Sequence, residues 1–264
     1  MSIAVGGENS TPTGVLLVGH GTRSELGQAQ CQALAAEVAG RLEPRFVSTE
    51  LAYLEMASPT IEETVLRLVE QRIERLVVVP LLLFAAGHAK EDVPSAVSNA
   101  LVKAGMPNIP MVQTEPLGLQ DSVVELATAR FHEAADPRIA SAETMLLLIG
   151  RGSRDEGATA EMRKLGSLVH QKLGIGESQV GFLAMAQPTA TEIIAAAANG
   201  PYRQIVVQPH LLFHGELLDR LQQQVSAAIA TSPGKIWRLS RVLGEEAVPL
   251  AQILRQAILS AGNK

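Results

Sequence analysis

The amino-acid sequence contains one internal repeat, and this repeat constrains the fold more than any other feature. VLLVGHGTR at residues 15–23 returns as LLLIGRGSR at residues 146–154. Three further pairs of segments follow in the same order: YLEMASPT (53–60) with FLAMAQPT (182–189), LVVVPLLLF (76–84) with IVVQPHLLF (205–213), and PLGLQDSVVEL (116–126) with VLGEEAVPL (242–250). The offset between the copies is close to half of the 264-residue chain, so each copy has the size of a domain.

The two copies differ at a few polar positions while they keep the same apolar pattern. His20 is replaced by Arg151, and Glu55 is replaced by Ala184. His88, in the segment FAAGHAKED, has no histidine counterpart in the second copy. One copy therefore has a histidine, a glutamate and a second histidine that the other copy lacks. This pattern predicts one active site in the first copy and a supporting role for the second.

Composition narrows the possible classes of function. Aromatic residues make up 3% of the chain and the net charge is −5, which argues against nucleic-acid binding and against attraction to anionic membranes. The longest apolar run, Leu76 to Ala86, is well short of the roughly 20 residues that a membrane span needs. Cys31 is the only cysteine, which excludes an intramolecular disulfide and a cysteine-rich metal cluster. We expect a soluble cytoplasmic protein without a signal peptide.

Short apolar runs alternate with helical patterns along both copies. The predicted strands are 14–18, 46–54, 76–84, 109–114, 145–149, 179–185, 204–213 and 236–242. The predicted helices are 25–42, 59–75 with Ser58 as its N-cap and Pro59 in its first turn, one that begins near residue 93, 120–134, 157–173, 188–199, 216–230 and 245–261. This alternation predicts an α/β fold of two similar domains, each a mainly parallel sheet with helices on both faces.

The repeat also predicts where the domains begin and end. Residues 1–13 form a disordered lead, and residues 14–135 form the first domain, which carries the metal site. Residues 136–144 form a linker, and residues 145–264 form the second domain, without the three polar residues. The two predicted domains are called the first half and the second half below. Because the halves are already joined in one chain, we expect a monomer.

The three polar residues of the first half share a predicted location. His20, Glu55 and His88 follow the first, second and third predicted strands, and ligands of parallel sheets bind beyond the carboxyl ends of the strands. Two imidazoles and one carboxylate can hold a divalent first-row metal ion. The same set of ligands occurs in hydrolytic zinc sites and in oxygenase iron sites, so the ligand types alone do not choose the reaction.

The Gly-His-Gly turn at residues 19–21 raises two alternatives. A dinucleotide fingerprint would need a third glycine where Ser24 stands, and neither half contains a P-loop, so we expect no nucleotide. A histidine phosphatase would need an arginine immediately before the histidine, and that position is a glycine here.

Five segments together resemble the sirohydrochlorin chelatases of the CbiX/SirB type, the class II chelatases. In chain order they are VGHGTR, YLE followed by ASPTIEE, PLLLFAAGHAKEDVP, IGRGSRDE and PHLLFHGELLDR. The resemblance extends over nearly the whole chain and includes the internal repeat. It implies that His20, Glu55 and His88 handle the metal ion and act in catalysis. It also implies that the two domains face each other across a cleft for the tetrapyrrole.

The resemblance implies ATP-independent insertion of a divalent metal, Fe²⁺ or Co²⁺, into sirohydrochlorin, in siroheme or cobalamin biosynthesis. The metal is a substrate in this reaction. We expect no iron–sulfur cluster, because the chain has no histidine-rich or cysteine-bearing tail. Two other classes of function stay open, namely a carrier of metal or tetrapyrrole without turnover and a hydrolase similar to histidine phosphatases.

Sirohydrochlorin carries many carboxylates, so an acidic protein needs local positive charge to bind it. The candidate cations on the predicted rim loops are Arg23, Lys90, Arg151 and Arg154. His214 is expected to line the same cleft as a substrate-binding residue. A second metal site at His210 and His214 is the less favoured alternative, because no third ligand is evident near them.

Overall fold

The computed structural model describes residues 11–85 and 91–263, which form eight strands and eight α-helices. The strands are β1 (Thr13–Gly19), β2 (Phe46–Tyr53), β3 (Arg75–Pro80), β4 (Met111–Gln113), β5 (Thr144–Gly150), β6 (Glu177–Phe182), β7 (Gln204–Pro209) and β8 (Ile236–Leu239). The helices are α1 (Glu25–Ala39), α2 (Ile61–Glu70), α3 (Val93–Lys103), α4 (Asp121–Ala134), α5 (Glu156–Leu173), α6 (Ala190–Asn199), α7 (Glu216–Thr231) and α8 (Ala247–Gly262). No helix in this part of the chain is long and apolar enough to cross a bilayer.

The strands form two parallel sheets with the same order. The first sheet runs β2-β1-β3-β4 and the second runs β6-β5-β7-β8. In the first sheet, Leu16 of β1 pairs with Glu50 on one side and with Val78 on the other. The predicted fold class is therefore confirmed. Of the predicted lead, residues 1–10 lie outside the described residues, and Thr13 already belongs to β1.

Both central strands are apolar on both faces, as expected of strands in a parallel sheet that is covered on two sides. Leu16 and Val18 of β1 pack against α2 and α3. Val15 and Leu17 point the other way and pack against α1 and α8. Alternate residues of β5 follow the same rule, with α6 and α7 on one face and α4 and α5 on the other.

The last helix of each half packs against the sheet of the other half. α8 supplies Leu250, Leu254 and Ile258 to the apolar cluster around β1 and β3. α4 supplies Val124 and Phe131 to the cluster around β5. The repeat did not predict this exchange, because a sequence pattern gives the apolar face of a helix but not the sheet that the face covers.

A network of charged side chains links the exchanged helices. Arg130 of α4 is 1% exposed and donates to both carboxylate oxygens of Glu133, at 2.9 and 2.8 Å, and to the Leu243 carbonyl at 3.3 Å. Arg241 donates to Glu133 at 2.9 Å and to Glu246 at 2.7 Å. The buried guanidinium is thus compensated by carboxylates, as a buried charge requires. The network ties α4 to the segment that leads into α8.

The two strands that end furthest before their predicted ends both end at a proline. β3 ends at Pro80 and β7 ends at Pro209, each four residues before the predicted end. Proline has no N–H group to donate to a neighbouring strand, and the chain leaves the sheet shortly after it. The apolar segments that follow, 81–84 and 210–213, line a cleft instead. Their apolar character therefore lengthened the predicted strands beyond the true ones.

The start of α2 also differs from the prediction. Its N-cap is Thr60 rather than Ser58, and Thr60 forms a capping box with Glu63. The Thr60 hydroxyl accepts the Glu63 N–H at 3.3 Å, and the Glu63 carboxylate accepts the Thr60 N–H at 2.8 Å. Pro59 lies before the helix because its carbonyl accepts the N–H of Tyr53 at 2.9 Å. The other predicted elements are present, with ends shifted by a few residues.

Candidate functional site

A cleft of about 960 Å³ lies between the carboxyl ends of the two sheets. The first half contributes the loops after β1, β2 and β3, and the second half contributes the loops after β5, β6 and β7. Residues 81–84 and 211–213 give the cleft an apolar wall from each half. Its location agrees with the rule that parallel sheets bind ligands beyond the carboxyl ends of their strands.

His20 lies in the turn after β1, and the turn requires a glycine next to it. Gly21 has a φ of 104°, and a β-carbon there would lie 1.8 Å from the carbonyl oxygen of Glu55. The Glu55 N–H donates to the His20 carbonyl at 3.1 Å. The side chains of these two residues also meet, with His20 Nε2 at 3.1 Å from Glu55 Oε1. The imidazole is 22% exposed and the carboxylate 55%, so both side chains are accessible to solvent.

The second half builds the same turn with different side chains. Gly152 has a φ of 90°, and a β-carbon there would lie 1.8 Å from the carbonyl oxygen of Ala184. The Ala184 N–H donates to the Arg151 carbonyl at 2.9 Å. The backbone geometry is therefore the same, but Arg151 and Ala184 cannot form the contact that His20 and Glu55 form.

His88 and Lys90, predicted from the sequence, lie outside the described residues. Among residues 11–85 and 91–263 there is no group of three or more histidine, cysteine, aspartate or glutamate side chains placed to hold a metal ion. The structure thus describes two of the three predicted metal-handling residues and brings them into contact.

Three arginines line the cleft with their side chains exposed. They are Arg23, Arg151 and Arg154, which were predicted to bind substrate. None of the ion pairs that the described residues form with one another involves these arginines. Asp92 and Glu216 are acidic residues that line the same cleft. Exposed guanidinium groups at a cleft are suited to the carboxylates of an anionic ligand.

His214 links the two halves beside the cleft. Its Nδ1 lies 3.1 Å from the hydroxyl of Ser24, and its Nε2 lies 3.3 Å from a carboxylate oxygen of Asp219. Its backbone N–H donates to the side chain of Gln30 at 2.8 Å. Its two sequence neighbours line the cleft, whereas its own imidazole is engaged by these partners. A role for His214 in substrate binding stays a prediction.

His210 lines the cleft but is only 1% exposed. Neither of its ring nitrogens has a hydrogen-bond partner in the parts of the chain that the structure describes. Its ring centroid lies 5.8 Å from that of Phe84, a residue of the first half. Burial lowers the pKa of His210 to about 3, so this imidazole is neutral at cellular pH.

Two methionines at the cleft have a rare backbone conformation that the sequence did not predict. Met56 and Met185 have φ values of 60° and 61°. Each is the central residue of a three-residue γ-turn, with a 2.8 Å hydrogen bond from Ala57 N–H to the Glu55 carbonyl and its equivalent in the second half. Such a conformation costs on the order of 1–3 kcal/mol for a residue with a side chain. Methionine recurs at this position of the repeat, but a left-handed φ could not be inferred from it.

Comparison with known proteins assigns the chain to a family. The CbiX family model matches twice, at residues 14–134 and at residues 145–261. The sirohydrochlorin ferrochelatase of Priestia megaterium is 31% identical over 211 residues, which cover 80% of this chain and 77% of that protein. The sirohydrochlorin cobaltochelatase of the same organism is 26% identical over 223 residues, which cover 80% of this chain and 68% of that protein.

A solved structure has the same architecture over almost the full length. SirB from Bacillus subtilis with Fe³⁺ superposes with a TM-score of 0.81 at 26% sequence identity. The match covers 96% of this chain and 98% of that one, so the likeness includes both sheets.

Proposed function

The chain belongs to the CbiX family, and on this basis we propose that it inserts a divalent metal ion, Fe²⁺ or Co²⁺, into sirohydrochlorin without ATP. The observation that carries this proposal is the contact between His20 and Glu55 at the edge of a cleft that is also lined by three exposed arginines. His20 of the metal-handling pair and a set of cations for an acidic macrocycle thus line one cavity.

His20 and Glu55, together with His88, are the proposed metal-handling residues. A neutral imidazole and a carboxylate are both ligands for divalent first-row metals. A small number of nitrogen and oxygen ligands suits a metal ion that must be released to the macrocycle, whereas a closed set of thiolate ligands would retain it. Both side chains are partly exposed, so the ion can arrive from solvent and depart into the cleft.

Metal insertion also requires proton acceptors. The macrocycle loses two pyrrolic protons when the M²⁺ ion replaces them, and the charge then balances. Imidazole nitrogen and carboxylate oxygen both act as general bases that take up such protons. His20 and Glu55 lie 3.1 Å apart, so a proton taken by one can be shared with the other.

The second half is proposed to hold the substrate. Arg151 and Arg154 line the cleft from this half, and Arg23 lines it from the first half. The planar guanidinium group binds carboxylates through paired N–H donors and does not ligate metal at cellular pH. Lys90 and His214 are proposed to add to the same carboxylate contacts.

An anaerobic absorbance assay tests the proposal. Sirohydrochlorin is mixed with Fe²⁺ or Co²⁺, with and without catalytic amounts of the protein, and the loss of the metal-free spectrum is followed. We expect many turnovers per protein molecule and no effect of added ATP. A spectral change that stops at one equivalent per protein would show a carrier instead. Phosphate release from a model ester, with no metal insertion, would show a hydrolase.

A further inference from the structure

We propose that Met56 and Met185 contact the apolar faces of the macrocycle, one from each half, and so fix its tilt in the cleft. This inference rests on the proposed function, because it takes a tetrapyrrole as the occupant of the cleft. Both methionines line that cleft, and each follows the second strand of its own sheet.

The backbone at both positions is costly to maintain. A left-handed φ is an outlier for a residue with a bulky side chain, and a glycine would adopt it without strain. Each turn is nevertheless closed by a 2.8 Å hydrogen bond around a methionine. Strained residues of this kind collect at ligand clamps, where the surrounding structure holds a side chain toward its target.

The fold does not use these side chains for packing. Met56 is 49% exposed and Met185 is 57% exposed, and neither belongs to the buried apolar clusters of the described chain. The residue before each methionine differs between the halves, as Glu55 and Ala184, whereas the methionine is the same. A side chain that is exposed, strained and present in both copies is best explained by a contact in the cleft.

The chemistry of methionine fits a flat conjugated ligand. Its side chain is unbranched and its sulfur polarisable, so it adapts to an apolar surface and contacts π systems favourably. The exposed arginines of the cleft suit the carboxylates at the macrocycle edge, and the apolar walls at residues 81–84 and 211–213 suit its faces. One methionine from each half adds a flexible, polarisable contact to those walls.

The test uses paired substitutions in the full chain. Met56→Gly, Met185→Gly and the double variant remove the side chain and relieve the backbone, and Met106→Ala is the matched control. Met106 is also an exposed methionine, 38% accessible, but it is not among the cleft residues. The affinity for metal-free sirohydrochlorin is measured by anaerobic absorbance titration. KM and kcat are measured in the insertion assay with Co²⁺, and Tm is measured by calorimetry.

We expect each glycine variant to raise the Kd for sirohydrochlorin several-fold and the double variant to raise it about tenfold, because partial burial of each side chain is lost. Tm should not fall, and metal affinity should not change. Met56→Leu should bind nearly as the parent does, whereas Met56→Gln, of similar length but polar, should resemble Met56→Gly.

The outcomes separate this inference from the function on which it rests. A parent protein that neither binds nor metallates sirohydrochlorin overturns the proposed function. A parent that does both, with glycine variants of unchanged Kd, overturns only the role of the methionines. A clear fall in Tm of the glycine variants, absent in Met106→Ala, would show that the two side chains are structural and would also overturn it.

Discussion

The turns after β1 and β5 have the same backbone conformation but carry side chains of different chemistry. Gly21 and Gly152 both adopt a left-handed φ against a carbonyl oxygen of the neighbouring strand's loop, and a β-carbon would clash equally in both. The residue before the glycine is His20 in one turn and Arg151 in the other. The conformation of the turn therefore depends on the glycine and on the carbonyl oxygen beside it. The side chain beside them is therefore free to ligate a metal in one half and to bind an anion in the other.

Removal of the metal-handling side chains should have the largest effect. His20→Ala and Glu55→Ala should each lower kcat about 100-fold or more, since each removes a proposed ligand and proton acceptor. Tm should barely change, because the second half builds the same turn without histidine and with Ala184 in place of Glu55. Steady-state insertion assays and calorimetry measure both effects. His132→Ala, on the exposed side of α4, is the control, and near-normal turnover in either site variant would refute the assignment.

Loss of the arginine in the second turn should have a smaller and different effect. Arg151→Ala should raise KM for sirohydrochlorin roughly tenfold to a hundredfold, the value of one charge-assisted hydrogen bond of about 1.5–3 kcal/mol. Metal affinity should be nearly unchanged, because arginine is not a ligand. Arg220→Ala, exposed on α7 and not among the cleft residues, should leave KM unaltered. An unchanged KM in Arg151→Ala would contradict the proposal that the second half binds the substrate while the first half handles the metal.

The buried imidazole of His210 predicts that the folded protein loses stability as the pH falls below 7. The pKa of His210 is about 3 in the folded chain and about 6.5 when unfolded, so the unfolded chain binds the extra proton between these values. The contribution of neutral His210 to the free energy of unfolding is therefore complete above about pH 6.5 and is lost as the pH falls below that value. By pH 5.5 the loss should be about 1.4 kcal/mol relative to pH 7.5.

His210→Leu isolates that effect, since Leu81 occupies the equivalent position of the first half. Denaturant unfolding at several pH values should show that the variant lacks this part of the acid loss. Carboxylates are common to both proteins and cancel in the difference. Parallel stability curves from pH 7.5 to pH 5.5 would mean that His210 is not buried in its neutral form.

The smallest effect is expected from a substitution that copies the first turn into the second. Arg151→His restores the histidine, but Ala184 supplies no carboxylate beside it. Equilibrium dialysis with Co²⁺ should therefore give the same number of bound ions as for the parent. An additional equivalent would show that the turn alone creates a metal site.

The sequence predicted the fold well because parallel strands that are buried on both faces give short, continuous apolar runs. The predicted strand ends were wrong at Pro80 and Pro209, because the apolar runs continue into the cleft wall after the hydrogen bonds of the sheet have ended. It also misplaced the start of α2. Ser58 and Thr60 are both acceptable N-caps by residue type, and only the position of Glu63 in the folded helix distinguishes them.

The candidate site was predictable to the extent that it depends on strand ends. His20 and Glu55 follow adjacent strands, so their contact follows from the topology. The hydrogen bonds of His214 to Ser24 and its contact with Asp219 could not be foreseen, because they depend on how the halves meet. The roles of His88 and Lys90 stay predictions. The γ-turns at Met56 and Met185 carry no local signal, since the backbone conformation is imposed by the surrounding structure.

The exchange of α4 and α8 has a consequence for how this protein is made. A ribosome completes β1 to β4 long before it reaches α8, whose Leu250, Leu254 and Ile258 close one face of the first sheet. α1 and α4 cover part of that face earlier, but the part under α8 stays exposed until α8 has been synthesised, so the first half cannot complete its packing before then. Stalled chains that stop before Leu250 should bind a hydrophobic dye that the released chain excludes. The first sheet therefore completes its core only after all the strands of the second sheet have been synthesised.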